Sequence, residues 1–136
     1  MKIKMTKILL VEDDPVINKM YSRLFKLEGY EVVVAVDGLD GLEKLKTFTP
    51  DIIMLDIMMP KMNGVEMLGK IKENPETQNI PTIVLTNMSD MRVSNEVFAK
   101  GVNLSIIKSE MEPDMVISWV KSVLAKAQKD SGTPAL

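Results

Sequence analysis

The sequence predicts an α/β fold: one domain built on an open, parallel, five-stranded sheet wound on both faces by helices. Two observations predict it. Five short apolar runs rich in β-branched residues alternate strictly with stretches of helical spacing, and such βα alternation builds a parallel, doubly wound sheet. Helix-boundary residues also fall at the joins, with Pro after Asp at a start and Gly after an end.

In chain order, the first strand is expected at Ile8 to Val11, and Asp14-Pro15 opens the first helix as N-cap and first helical residue. Val16, Met20, Leu24 and Leu27 recur at helical spacing and are expected to form its buried stripe. Gly29 closes it, and the second strand follows at Tyr30 to Val36. Leu39, Leu42 and Leu45 mark the second helix, Ile52 to Leu55 the third strand, and Val65, Leu68 and Ile71 the third helix. Pro81 to Leu85 is the fourth strand, Val93 to Lys100 the fourth helix with Gly101 as its cap, and Leu104 to Ile107 the fifth strand. Glu112-Pro113-Asp114 opens a last helix from Met115 to Ala127, with Val116, Val120, Val123 and Ala127 as its core stripe. The domain is therefore expected over residues 1–127, with 128–136 a flexible tail or the stub of a linker.

Composition narrows the chemistry. Hydrophobic residues make up 46% and charged residues 26%, as in an ordinary globular domain. Seventeen Lys and Arg against nineteen Asp and Glu give a net charge of −2, so no general pull toward nucleic acid or an anionic membrane is expected. The acidic cluster interrupts the N-terminal region before a signal-peptide apolar stretch forms, and no later run approaches a membrane span, so a cytoplasmic location is expected. The chain has neither Cys nor His, which excludes thiolate nucleophiles, disulfides, Cys-bound zinc, imidazole bases and phosphohistidine. Carboxylate, hydroxyl and ammonium chemistry remains.

A doubly wound sheet gathers its functional groups at the carboxyl ends of its strands. Those ends carry Glu12, Asp13, Asp14, Asp56, Thr86 and Lys108. Three acids in a row after the first strand would repel a nucleotide and attract a hard cation. Mg²⁺ suits them, since it takes one or two protein carboxylates, retains waters and accepts phosphoryl oxygens. Asp13 and Asp56 meet that need, Glu12 is long enough to act through water, and Asp14 is assigned to helix capping. Lys108 is the evident counter-ion for Asp56, and Thr86 offers a hydroxyl to an anionic oxygen.

The motifs IxLVEDDP, DxxMPxMxG, the Thr ending the fourth strand and the late Lys together resemble the receiver domain of bacterial two-component response regulators. The resemblance spans about residues 5 to 125 and implies the (βα)5 flavodoxin-like fold. It also implies that Asp56 accepts a phosphoryl group from a sensor histidine kinase or phosphotransfer protein, with Mg²⁺ held by Glu12, Asp13, Asp56 and the backbone carbonyl of Met58. Lys108 would pair with the phosphoryl group and Thr86 hydrogen-bond to it, signalling by a change of shape to a downstream protein. Pro60 and Gly64 would shape the loop beyond the acceptor. Such a module catalyses only its own phosphorylation and dephosphorylation, binds no nucleic acid or membrane directly, and is compatible with either a monomer or a homodimer.

The chain departs from the family pattern at three positions. Ile106 stands where receivers often carry a rotating Tyr or Phe, Ser109 follows Lys108 where Pro is common, and Asn87 replaces a very small residue. A trans Lys108-Ser109 bond is expected, because a cis bond before a non-proline residue costs about 2.5–4 kcal/mol. Met58 and Met88 would flank the acceptor with apolar bulk and favour slow autodephosphorylation. Among twelve Met, those at 88, 91, 111 and 115 fall near the expected output side; Met115 and Trp119 are assigned to an exposed partner face.

Other classes fit less well. A haloacid-dehalogenase-like phosphatase would need an acid at Met58 and a cap domain, and the acids after the first strand disfavour a flavodoxin-like cofactor binder. A pseudo-receiver that is never phosphorylated remains an alternative, although such modules commonly lose an acid or the Lys and all are present.

Overall fold

The computed structural model describes residues 5–57, 59, 62–86, 96, 99–108 and 112–130, the side chains of 128–130 excepted. Five strands form one parallel sheet: β1 Lys7–Val11, β2 Glu31–Ala35, β3 Ile52–Asp56, β4 Thr82–Thr86 and β5 Leu104–Ile107. Their order is β2-β1-β3-β4-β5, so the topology reverses between β1 and β3. Every sequence-predicted strand is present, with ends displaced by one residue at most. Four helices lie among the described residues: α1 Pro15–Leu27, α2 Gly38–Leu45, α3 Gly64–Glu73 and α4 Pro113–Asp130. The additional helix expected over 93–100 falls outside the described residues, apart from 96, 99 and 100. The last helix runs three residues past the expected boundary at 127, and 131–136 lie outside the described residues.

The sheet separates two apolar layers. On one face Ile8, Leu10, Met54, Ile83 and Leu85 pack with Tyr21 and Phe25 of α1 and with Val116, Ile117 and Val120 of α4. On the other, Leu9, Val11, Ile53, Leu55 and Val84 pack with Met67, Leu68 and Ile71 of α3. β3 and β4 are buried along their whole length, which explains why they read as continuous apolar runs.

Helix starts follow the expected chemistry. The Asp14 carboxylate accepts from the backbone N–H groups of Val16 and Ile17 at 2.9 and 3.4 Å. Asp37 and Asn63 cap α2 and α3 in the same way, from the N–H groups of Asp40 and Glu66. Gly29 and Gly101 take φ of +89° and +91°, the left-handed conformation that the expected C-terminal caps need.

The stripe assigned to α1 is corrected by the structure. Val16, Met20 and Leu27 are 74%, 46% and 79% exposed, and only Leu24 of that set packs, partly, on the core. The inward face is instead Asn18, Tyr21, Ser22 and Phe25, flanked by Ile17. Two apolar sets share helical spacing here, and the set containing both aromatic rings wins because it buries more area. Leu39 is similarly outward, at 51% exposure. In α4, Val116 and Val120 are buried and Val123 and Ala127 half-buried. Ile117 joins the core there without having been anticipated.

Candidate functional site

The carboxyl ends of β1, β3, β4 and β5 converge, because parallel pairing brings residues of distant sequence into one row. Asp56 pairs with Leu85 across β3 and β4, and Thr86 with Ile107 across β4 and β5. Glu12 follows β1 directly and is tied to the end of β2 by its N–H, which donates to the Ala35 carbonyl at 3.0 Å. Glu12, Asp56 and Thr86 are all buried, at 0%, 2% and 3% exposure. Asp13 is exposed at the mouth.

Lys108 joins these ends. Its Nζ lies 2.5 Å from Glu12 Oε1 and 3.1 Å from Asp56 Oδ2. The sequence suggested Lys108 as partner of Asp56; the shorter contact, to Glu12, was not anticipated, and the signal for it was the long acid directly after β1. Burial raises the Glu12 carboxyl above its ordinary range, and the neighbouring Asp56 reinforces this while Lys108 opposes it. Burial and the nearby Glu12 raise Asp13 as well. For Lys108 burial acts downward, but the two carboxylates outweigh it and raise its pKa, so the ammonium stays charged.

Glu12, Asp13 and Asp56 each bring a carboxylate oxygen to within 4.8 Å of one another. Three carboxylates face one ammonium. That excess of oxygen ligands and negative charge fits a hard divalent cation of the Mg²⁺ type.

Two residues that sequence reasoning did not assign support this end. Asn18 Nδ2, on the buried face of α1, donates to the Glu12 carbonyl at 3.2 Å. Its signal was a polar residue on the helix face that also holds Tyr21 and Phe25. Gly38 donates its N–H to the Met62 carbonyl at 3.3 Å, where a Cβ would come within 2.7 Å of that oxygen. The expected loop-shaping role of Gly64 has a direct physical basis. A Cβ there would lie 2.5 Å from the Asp56 carbonyl oxygen and 2.7 Å from the Ile57 Cα, so only glycine lets α3 start against the end of β3.

The family model described as the response regulator receiver domain matches residues 8–119. The chain belongs to the response regulator receiver domain family. The chemotaxis protein CheY of Treponema pallidum is 32% identical over 121 residues, covering 87% of this chain and 82% of that protein. Hybrid signal transduction histidine kinase D of Dictyostelium discoideum is 34% identical over 122 residues, 90% of this chain. The receiver spans 8% of that kinase and 52% of the master transcriptional regulator RpaA of Synechocystis, to which it is 29% identical. Among solved structures, a CheY-like receiver domain from Methanospirillum hungatei superposes with a TM-score of 0.87 at 26% identity, covering 93% of this chain and 99% of that one.

Met58, Pro60, Asn87, Met88, Met91, Ser109 and Met111 lie outside the described residues, so the Met58 carbonyl and the Lys108-Ser109 bond are not placed. Ile106 is buried in the α1/α4 layer. Met115 is exposed, as expected, while Trp119 packs partly on the core and, with Met115 and the β5 residues Leu104 to Ile107, lines a groove of about 410 Å³. No helix among the described residues is long and apolar enough to cross a membrane.

Proposed function

We propose that this receiver accepts a phosphoryl group on Asp56 from a phosphohistidine of a sensor histidine kinase or phosphotransfer protein, and signals the event to a downstream protein. The observation that carries the reading is the Lys108 ammonium held between two buried carboxylates, Glu12 and Asp56, with Asp13 at the mouth. Phosphoryl transfer asks mainly for in-line positioning and charge neutralisation, which such a site supplies without an imidazole. Asp56 is the nucleophile because it ends the central strand β3, fixed by Gly64 from behind and by Lys108 from the side.

Glu12, Asp13, Asp56 and the Met58 carbonyl would hold Mg²⁺. When bound, the ion supplies positive charge against the phosphoryl oxygens. Lys108, released in part from Asp56, neutralises a phosphoryl oxygen from the other side, and the Thr86 hydroxyl donates to another. Movement of Thr86 then draws on the end of β4, and Ile106 repacks within the α1/α4 layer in place of an aromatic rotation. The half-open groove under Trp119 and Met115 is the surface that would report the change to a partner.

Incubating the protein with Mg²⁺ and a small acyl-phosphate donor tests the central step. Intact mass is expected to rise by one phosphoryl group in the wild type and to stay unchanged in Asp56→Ala. An adduct that persists in Asp56→Ala, or none in the wild type, overturns the reading.

A further inference from the structure

One face of α1 carries Lys19, Arg23 and Lys26, and α1 contains no acid at all in a chain whose net charge is −2. These side chains line an open surface groove of about 460 Å³ between the helix and the edge strand β2. The buried amide of Asn18 and hydroxyl of Ser22 contribute polar groups, and Leu27 and Val34 an apolar wall. Among the described residues none of the three cations forms an ion pair, although acids elsewhere pair with Lys44, Lys46, Lys108 and Lys121. The volume lies within the roughly 300–1,000 Å³ of small-ligand sites.

We propose that this groove binds a phosphorylated small molecule with an apolar or aromatic body, of the nucleotide class. Arg23 offers the planar fork that grips phosphate oxygens in pairs, and Lys19 and Lys26 add point charges one turn to either side. Ser22 donates from the floor, and the ring rests on Leu27 and Val34. A second copy of this chain is a poor occupant, since a symmetric contact would set three cations against three. The site is separate from the acid cluster, which repels such a ligand. Asn18 nevertheless connects the two, because the same side chain lines the groove and donates to the Glu12 carbonyl.

The test titrates the whole chain with ATP, in EDTA and without Mg²⁺, while backbone amide resonances are followed. Saturable shifts are expected at Asn18, Ser22, Arg23 and Val34, with a smaller one at Glu12. Arg23→Gln combined with Lys26→Gln should weaken binding at least tenfold while thermal unfolding stays that of wild type; Arg23→Lys should retain most of it. Tripolyphosphate and adenosine alone should each bind more weakly than ATP. Four results overturn the proposal: no saturation by ATP, shifts confined to the acid end, unchanged affinity in the double variant, or tripolyphosphate binding as tightly as ATP. Capture by phosphatidylserine vesicles without ATP binding also overturns it, assigning the basic face to a lipid surface.

Discussion

The two faces of the sheet are closed by different means. The α1/α4 face is filled by large side chains, with Tyr21, Phe25 and Tyr30 in sequence-local ring contacts at centroid separations of 6.2 Å and Trp119 at its margin. The α2/α3 face is closed by backbone approach. There Gly38 and Gly64 would set a Cβ against backbone atoms, while Gly41 lies against the thioether of Met67. The first face can repack around its contents. At Gly64 the second holds the Asp56 end of β3 through main-chain contacts, which have no rotamers to change.

That contrast can be broken by substitution. Phe25→Ala should cost the most, about 3–5 kcal/mol in chemical denaturation, since the fully buried ring leaves a cavity. Lys108→Met should follow at about 3 kcal/mol, because a buried ion pair that loses one partner is strongly destabilised. Adding Glu12→Gln to Lys108→Met should recover part of the loss, by removing one of the stranded carboxylates. Gly64→Ala is expected to cost about 2 kcal/mol and to slow acyl-phosphate labelling of Asp56, as the added methyl meets fixed backbone. At Gly41 the nearest atom is the Met67 methyl at 2.5 Å, the mobile end of a flexible chain, so Gly41→Ala should cost under about 1 kcal/mol. Equal costs at Gly41 and Gly64 would erase the distinction between side-chain and backbone closure. Leu27→Gln, on the solvent side of α1, should fall within about 0.5 kcal/mol of wild type.

How far the sequence revealed this molecule depends on what kind of signal each part left. The strands were legible because β3 and β4, buried on both faces, must be continuously apolar. Their parallel order then brought Glu12, Asp13, Asp56, Thr86 and Lys108 to one end, whatever their separation along the chain. The inward face of α1 was not legible from spacing, since Val16, Met20 and Leu27 repeat as regularly as Ile17, Tyr21 and Leu24. Only the larger buried area of Tyr21 and Phe25, and the hydrogen bond from Asn18 to Glu12, choose between them. The tight glycines were half legible. Gly64 stands in a recognisable loop, whereas the approach of Gly41 to Met67 and Val11 follows from tertiary packing of α2 on α3.

The Lys108 contacts span 96 residues to Glu12 and 52 to Asp56. During synthesis from the N-terminus, β1, β2 and β3 therefore emerge with their carboxylates gathered but without the cation between them. The cluster closes only when β5, the last of the described strands, reaches the sheet edge beside β4. Closing contacts over such separations costs chain entropy, so this site is expected to form late in folding. A nascent or C-terminally truncated chain that stops before residue 108 would leave Glu12 and Asp56 at the strand ends without their shared cation.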